Sequence, residues 1–170
     1  MLFISPFFFG FFFSFAGSIT PSMLNMTALK IRIEKGKGAV NLYAFGVSLI
    51  VIPQVYIAIL LTKYIAQNPK ILETLEKVGI LIFILLSYYF FIESKKSKKE
   101  LEVVKAKSEN SFLIGITLSS LNVFAIPFFC GIVITLDAFK LFNFNLVPII
   151  SFTFGSIVGT FYILFLYGKF

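Results

Sequence analysis

Histidine is absent from this chain of 170 residues, cysteine occurs once, and only 14% of the residues are charged. With no histidine and no cysteine cluster, a His- or Cys-based metal site is excluded. Cys130 lies alone in an apolar run, has no partner for an internal disulfide, and reads as a small packed hydrophobe. All eight acidic residues, from Glu34 to Asp137, fall outside the apolar cores of the membrane spans drawn below. Proton-coupled carriers often use an intramembrane carboxylate, so the coupling ion of a carrier is not legible in this chain. Hard cations want several oxygen ligands, usually carboxylates, which disfavours a calcium, manganese or magnesium carrier. Serines are present without a nucleophile–base–orienter set, so neither catalysis nor a cofactor is expected.

What the chain has in abundance is apolar surface. It is 58% hydrophobic, with 24 phenylalanines and a mean hydropathy of +0.96, against about 45–50% apolar residues in a soluble domain. Long apolar runs separated by short charged loops predict an all-α integral membrane protein. The net charge of +7 is carried by lysines in those loops. There they orient the protein and meet anionic lipid headgroups, so membrane lipid is an expected partner and nucleic acid is not. The N-terminal run has no basic flank and outlasts the apolar stretch of a signal peptide, so it reads as a retained first span.

Five transmembrane helices are predicted: Leu2 to Leu29, interrupted near Gly17–Ser22, then Val40–Leu61, Ile71–Ile92, Phe112–Leu136 and Leu146–Gly168. Each can cover a hydrocarbon core that needs roughly 20 helical residues. Eleven basic residues fall on the side of the loops after spans one and three, and four on the other side. The positive-inside rule makes the richer side cytoplasmic, with the N-terminus outside and the 93–111 loop within. That loop, ESKKSKKELEVVKAKSEN at its core, reads as a solvated topogenic linker. It separates a first three-helix repeat, residues 1–92, from an incomplete second repeat of two helices, residues 112–170.

The opening span of each half contains polar residues and a proline. In GSITPSMLNMTALK, Pro21 removes a backbone donor and blocks a helical hydrogen bond, and Asn25 brings an amide into an apolar segment. In GITLSSLNVFAIPFFCG, Ser119, Ser120 and Asn122 precede Pro127. Backbone groups freed by such breaks are costly in lipid unless protein or a watery cavity satisfies them. Broken helices that recur in two halves of opposite orientation are the pattern of a 3+3 inverted repeat, with a substrate site between the halves. For either break alone, helix packing through small polar residues is as good a reading as a site, and two breaks at matching places favour the site. Span two adds Pro53 and Gln54 at mid-span, and Gln54 suits either a polar ligand or a neighbouring helix. The candidate substrate-binding residues are therefore Pro21, Asn25, Gln54, Asn122 and Pro127.

GFFFSFAGSITPSMLNMTALKIRIEKGKGAV resembles the first helix and basic loop of the lysine-exporter (LysE-type) amino-acid translocators, and GITLSSLNVFAIPFFCGI resembles the start of their second half. Gly46 of span two and the charged central linker match as well, so the resemblance covers essentially the whole chain. It implies a six-helix exporter of two inverted three-helix repeats, moving amino acids and related metabolites out of bacterial cells on ion gradients. The family's Pro-Gly-Pro-like break falls on Ile19 to Ser22 with Pro21 retained, followed by Asn25. Its Asn-Pro-like element falls on Asn122, with Val123 in the proline position and Pro127 further on. Where many members carry an aspartate in span two, this chain has Gln54. Both the repeat pattern and the resemblance call for a sixth helix, beyond the five visible.

The main functional expectation is a secondary transporter in the bacterial plasma membrane, exporting amino acids or similar small polar metabolites. A non-transporting membrane scaffold or assembly factor is the second class, and a metal-cation exporter the third. Assembly as a homo-oligomer is left open.

Overall fold

The computed structural model describes residues 3–68, 110–122 and 124–169, with residues 80, 84, 87–88 and 91–92 besides. The chain divides into two compact units, Met1–Thr62 with Ala106–Phe170, and Lys63–Lys105. The described residues contain no strand. Their six named helices are α1 (Ile4–Gly17), α2 (Met23–Lys35), α3 (Lys37–Gln67), α4 (Ser111–Ser120), α5 (Ala125–Ala138) and α6 (Leu146–Lys169). In the second unit Ile80, Ile84, Tyr88 and Phe91 are exposed at a spacing that shares one helical face.

The helix boundaries follow from local chemistry. Ser22 is extended, with φ −119° and ψ 170°, and its Oγ accepts from the Asn25 N–H, capping α2. Pro21 disfavours helical backbone at the residue before it, which separates α1 from α2. Gly36, at φ +83°, ends α2 in a conformation that favours glycine, and α3 starts at the next residue. Asn110 caps α4 by accepting from the Phe112 N–H at 3.0 Å. α3 continues through Pro53, which lies on its exposed side.

These boundaries correct the predicted five spans. Among the described residues only α3 (31 residues) and α6 (24 residues) are long and apolar enough to cross a membrane singly. The pair α4–α5, bent by 64°, makes a third if it counts as one span. The predicted first span is two helices. α1 has 14 residues, about 21 Å of helix, against a hydrocarbon core of about 30 Å. α2 carries Lys30, Arg32, Glu34 and Lys35 within 13 residues. The predicted third span, Ile71–Ile92, and the linker 93–111 lie almost entirely outside the described residues.

Two helix crossings organise the first unit. A Cβ added at Gly10 of α1 would collide with the Phe152 carbonyl oxygen of α6, and one at Gly155 with the Phe7 carbonyl oxygen. Gly159 meets the Phe11 carbonyl in the same way, and Ser151 Oγ donates to the Phe3 carbonyl. The contacting residue numbers rise together, so α1 and α6 run in the same direction. The second crossing repeats this arrangement. Gly46 of α3 lies against the Phe112 carbonyl of α4, and Gly115 against the Tyr43 carbonyl. All four helices thus use one pattern, an aromatic residue three positions before the glycine: Phe7 and Gly10, Tyr43 and Gly46, Phe112 and Gly115, Phe152 and Gly155. Small residues that let backbones approach are the usual means of helix association in lipid, where the hydrophobic effect between helices is missing.

Around these crossings the buried apolar residues form two clusters. Tyr43, Ala44, Val47, Leu118 and Leu164 belong to one, and Val51, Val55, Phe129, Val133 and Phe152 to the other. The outer faces are apolar too. Phe8 and Phe12 on α1, Ile52 and Leu60 on α3, and Phe154 on α6 are all exposed. Large exposed apolar faces are rare on soluble monomers and suit contact with acyl chains.

Candidate functional site

A cavity of about 340 Å³ opens where the two apolar clusters meet. Its walls come from α1, α3, α4, α5 and α6 and from both helix breaks. The chain enters the cavity wall at the first break through Gly17, Ser18 and Ser22, and at the second through Ser119, Asn122 and Phe124. The first turns of two helices, Leu24 and Asn25 of α2 and Ala125 of α5, end against it. None of the described residues that line it carries a charge.

The candidate residues fall into two groups. Asn25, Gln54 and Asn122 all line the cavity, brought together from α2, α3 and the second break. Pro21 and Pro127 are exposed and are not among the lining residues. Their effect is on backbone direction, through which the breaks form.

The amides are not equivalent. Asn25 is buried, and its Nδ2 donates to the carbonyls of Ser18 at 2.7 Å and Thr20 at 2.9 Å. Both acceptors were freed by the first break, so this side chain replaces the lost helical bonds. Gln54 is buried too, and its Nε2 donates to the Ser119 carbonyl at 2.8 Å. That carbonyl also accepts from the Asn122 N–H at 3.1 Å. Ser119 Oγ in turn donates to the Val47 carbonyl at 3.2 Å, linking α4 to α3 a second time. Asn122 is half-buried, and its carbonyl accepts from the Ala125 N–H at 3.3 Å as α5 begins.

Several lining residues escaped the sequence reading. Ser14 and Thr160 share a hydrogen bond of 2.6 Å between α1 and α6, and both face the cavity. The available signal was that Ser14 is the only polar residue between Phe7 and Gly17. Phe124, Phe128 and Phe129 build an aromatic wall, with Phe128 and Phe129 edge to face at 5.4 Å between centroids. Among 24 phenylalanines nothing in the sequence marked these three. Phe128 also reaches across to the first break. A Cβ at Gly17 would run into its ring.

Chemically, the cavity offers amides, hydroxyls and aromatic faces. These can bind and orient a small polar molecule. Ser14 Oγ is hydrogen-bonded to another hydroxyl and Ser119 Oγ to a backbone carbonyl, so neither stands against a base that would activate it. Compared with protein-family models, curated proteins and solved structures, the chain matches none of them.

Proposed function

We propose that the chain is a secondary transporter that exports amino acids or similar small polar metabolites, with the cavity between the two helix breaks as its substrate site. The observation that carries this reading is the convergence of both breaks, with Asn25, Gln54 and Asn122, on one cavity. Broken helices that face a common cavity are a recurrent way to build substrate sites in secondary transporters. The N-terminal turns of α2 and α5 favour a carboxylate there. Gln54 and Asn122 orient the remainder of the ligand.

In this reading the protein works by alternating access as a LysE-type translocator in a bacterial plasma membrane. The N-terminus faces outward, and six helices form two inverted three-helix repeats. Support comes from the paired crossings, in which α1 meets α6 and α4 meets α3 through the same aromatic-x-x-glycine pattern.

The test is release of amino acids from cells loaded with dipeptides. Asn122→Leu is expected to abolish efflux while leaving membrane insertion intact. Normal efflux by that variant removes Asn122 from the site. One observation favours the second class, a membrane scaffold: both Asn25 donor bonds go to the protein's own backbone. A stable complex with another membrane protein, without any release, supports that scaffold. Nothing in the charge-free lining favours the third class, a metal-cation exporter.

A further inference from the structure

The cavity has two chemically different sides. One side presents dipoles without charge: the amides of Gln54 and Asn122 and the paired hydroxyls of Ser14 and Thr160. The other presents Phe124, Phe128 and Phe129 with Val51 and Leu164. A ligand with net charge would leave water for a site where no described lining residue offers a counter-charge, and dipoles alone repay that loss poorly. A zwitterion must still desolvate its ammonium and its carboxylate, but the two partly offset each other and it brings no third, unpaired charge, as lysine or glutamate would. Its apolar part finds contact on the aromatic side. The volume of about 340 Å³ lies near the lower end of the roughly 300–1,000 Å³ typical of ligand pockets, which limits the ligand to small molecules.

Phe128 sets that limit. It projects from the first turn of α5, and its ring covers Gly17 at the end of α1, where any side chain would collide with it. Phe128 therefore spans the gap between the two breaks on the aromatic side. It is exposed, whereas its neighbour Phe129 is buried among Val133, Phe142 and Phe152. Removing the Phe128 ring enlarges the cavity without opening the core, and removing Phe129 would do both.

We propose that this cavity takes small ligands of zero net charge that carry one apolar group, and that Phe128, seated on Gly17, fixes how large that group can be. The proposal rests on the exporter reading and deepens it. It is tested in cells producing the full chain and loaded separately with Ala-Leu, Ala-Trp, Ala-Lys or Ala-Glu, with release of each second residue followed against cells lacking the protein. Leucine is expected to leave at least about tenfold faster than lysine or glutamate, a difference of ~1.4 kcal/mol. Phe128→Ala is expected to raise tryptophan release relative to leucine by about fivefold or more, a modest change for a pocket altered by a whole ring. Phe128→Leu, a gentler change, is expected to move the ratio in the same direction, with membrane levels of both variants checked by immunoblot.

Lysine or glutamate released as fast as leucine overturns the neutral-ligand class while the exporter reading stands. A tryptophan-to-leucine ratio unmoved in both variants overturns the role of Phe128 alone. Release of none of the four above the control defeats the exporter reading, and this proposal with it.

Discussion

The two helix breaks meet the same physical demand by different means. Each frees backbone groups that need new partners. The first break is stitched largely by its own neighbourhood. Asn25 reaches back to two carbonyls, Ser22 caps the helix that follows, and only Tyr167, whose hydroxyl donates to the Ile19 carbonyl at 2.7 Å, comes from afar. The second break is held from across the bundle. Gln54 of α3 supplies the side-chain bond to Ser119, and α5, which follows, has Phe124 at its cap position and no side-chain cap bond. An amide in an apolar segment is thus not a ligand group by default. At the first break both Asn25 donors are occupied by backbone. At the second, the stitching depends on where α3 stands.

Substitutions can break this contrast or sharpen it. The largest effect is expected from Asn25→Leu, which removes two side-chain bonds at once, to the carbonyls of half-buried Ser18 and exposed Thr20. At about 0.5–1.5 kcal/mol for each bond, it should cost roughly 2 kcal/mol, read as a lower midpoint of thermal unfolding in detergent. Gln54→Leu should cost less, about 1 kcal/mol, because the Asn122 N–H still pairs with the Ser119 carbonyl. Its signature is location. Amide exchange should quicken at Ser119–Asn122 and stay unchanged at Met23–Thr27, and equal quickening at both would erase the contrast. Tyr167→Phe should do least. Its bond is exposed, so water replaces it, and an unfolding midpoint indistinguishable from that of the parent is expected. A large drop would mean that the first break leans on α6 as the second leans on α3.

Part of this arrangement was readable in the sequence. α3 and α6 follow from long apolar runs, and α6 begins at Leu146, as the predicted span does. Both breaks were announced by Pro21 and Pro127 among small polar residues, since proline chemistry is local. The interruption predicted near Gly17–Ser22 is where α1 gives way to α2, but the two pieces are not the one crossing span predicted for Leu2 to Leu29. Ser22 and Pro21 end one helix and cap another, leaving α1 too short to cross a membrane singly. The role of Asn25 was not legible either. Its acceptors lie five and seven residues back along the chain, and only the bent backbone brings them within reach. Least legible was the pairing of α1 with α6. It depends on the fit of Gly10 and Gly155 against carbonyls nearly the whole chain away, and hydropathy has no term for such a fit. The aromatic-x-x-glycine pattern was the available clue, and an unspecific one, because it also occurs at Phe128–Gly131 and Phe165–Gly168, where no carbonyl lies against the glycine.

Those glycine crossings also limit how the molecule can move. At each one, a carbonyl oxygen occupies the space a Cβ would need. Turning α1 or α6 about its own axis by even one residue would bring Phe7, Phe11, Phe152 or Phe154 into a gap that admits only hydrogen. The same holds for α3 and α4. Neither pair can roll or ratchet, so each travels as a single solid piece. Any rearrangement of the first unit is then taken up where the chain leaves those pieces, at Ser18–Ser22, at Gly36, at the second break and at Phe139–Asn145.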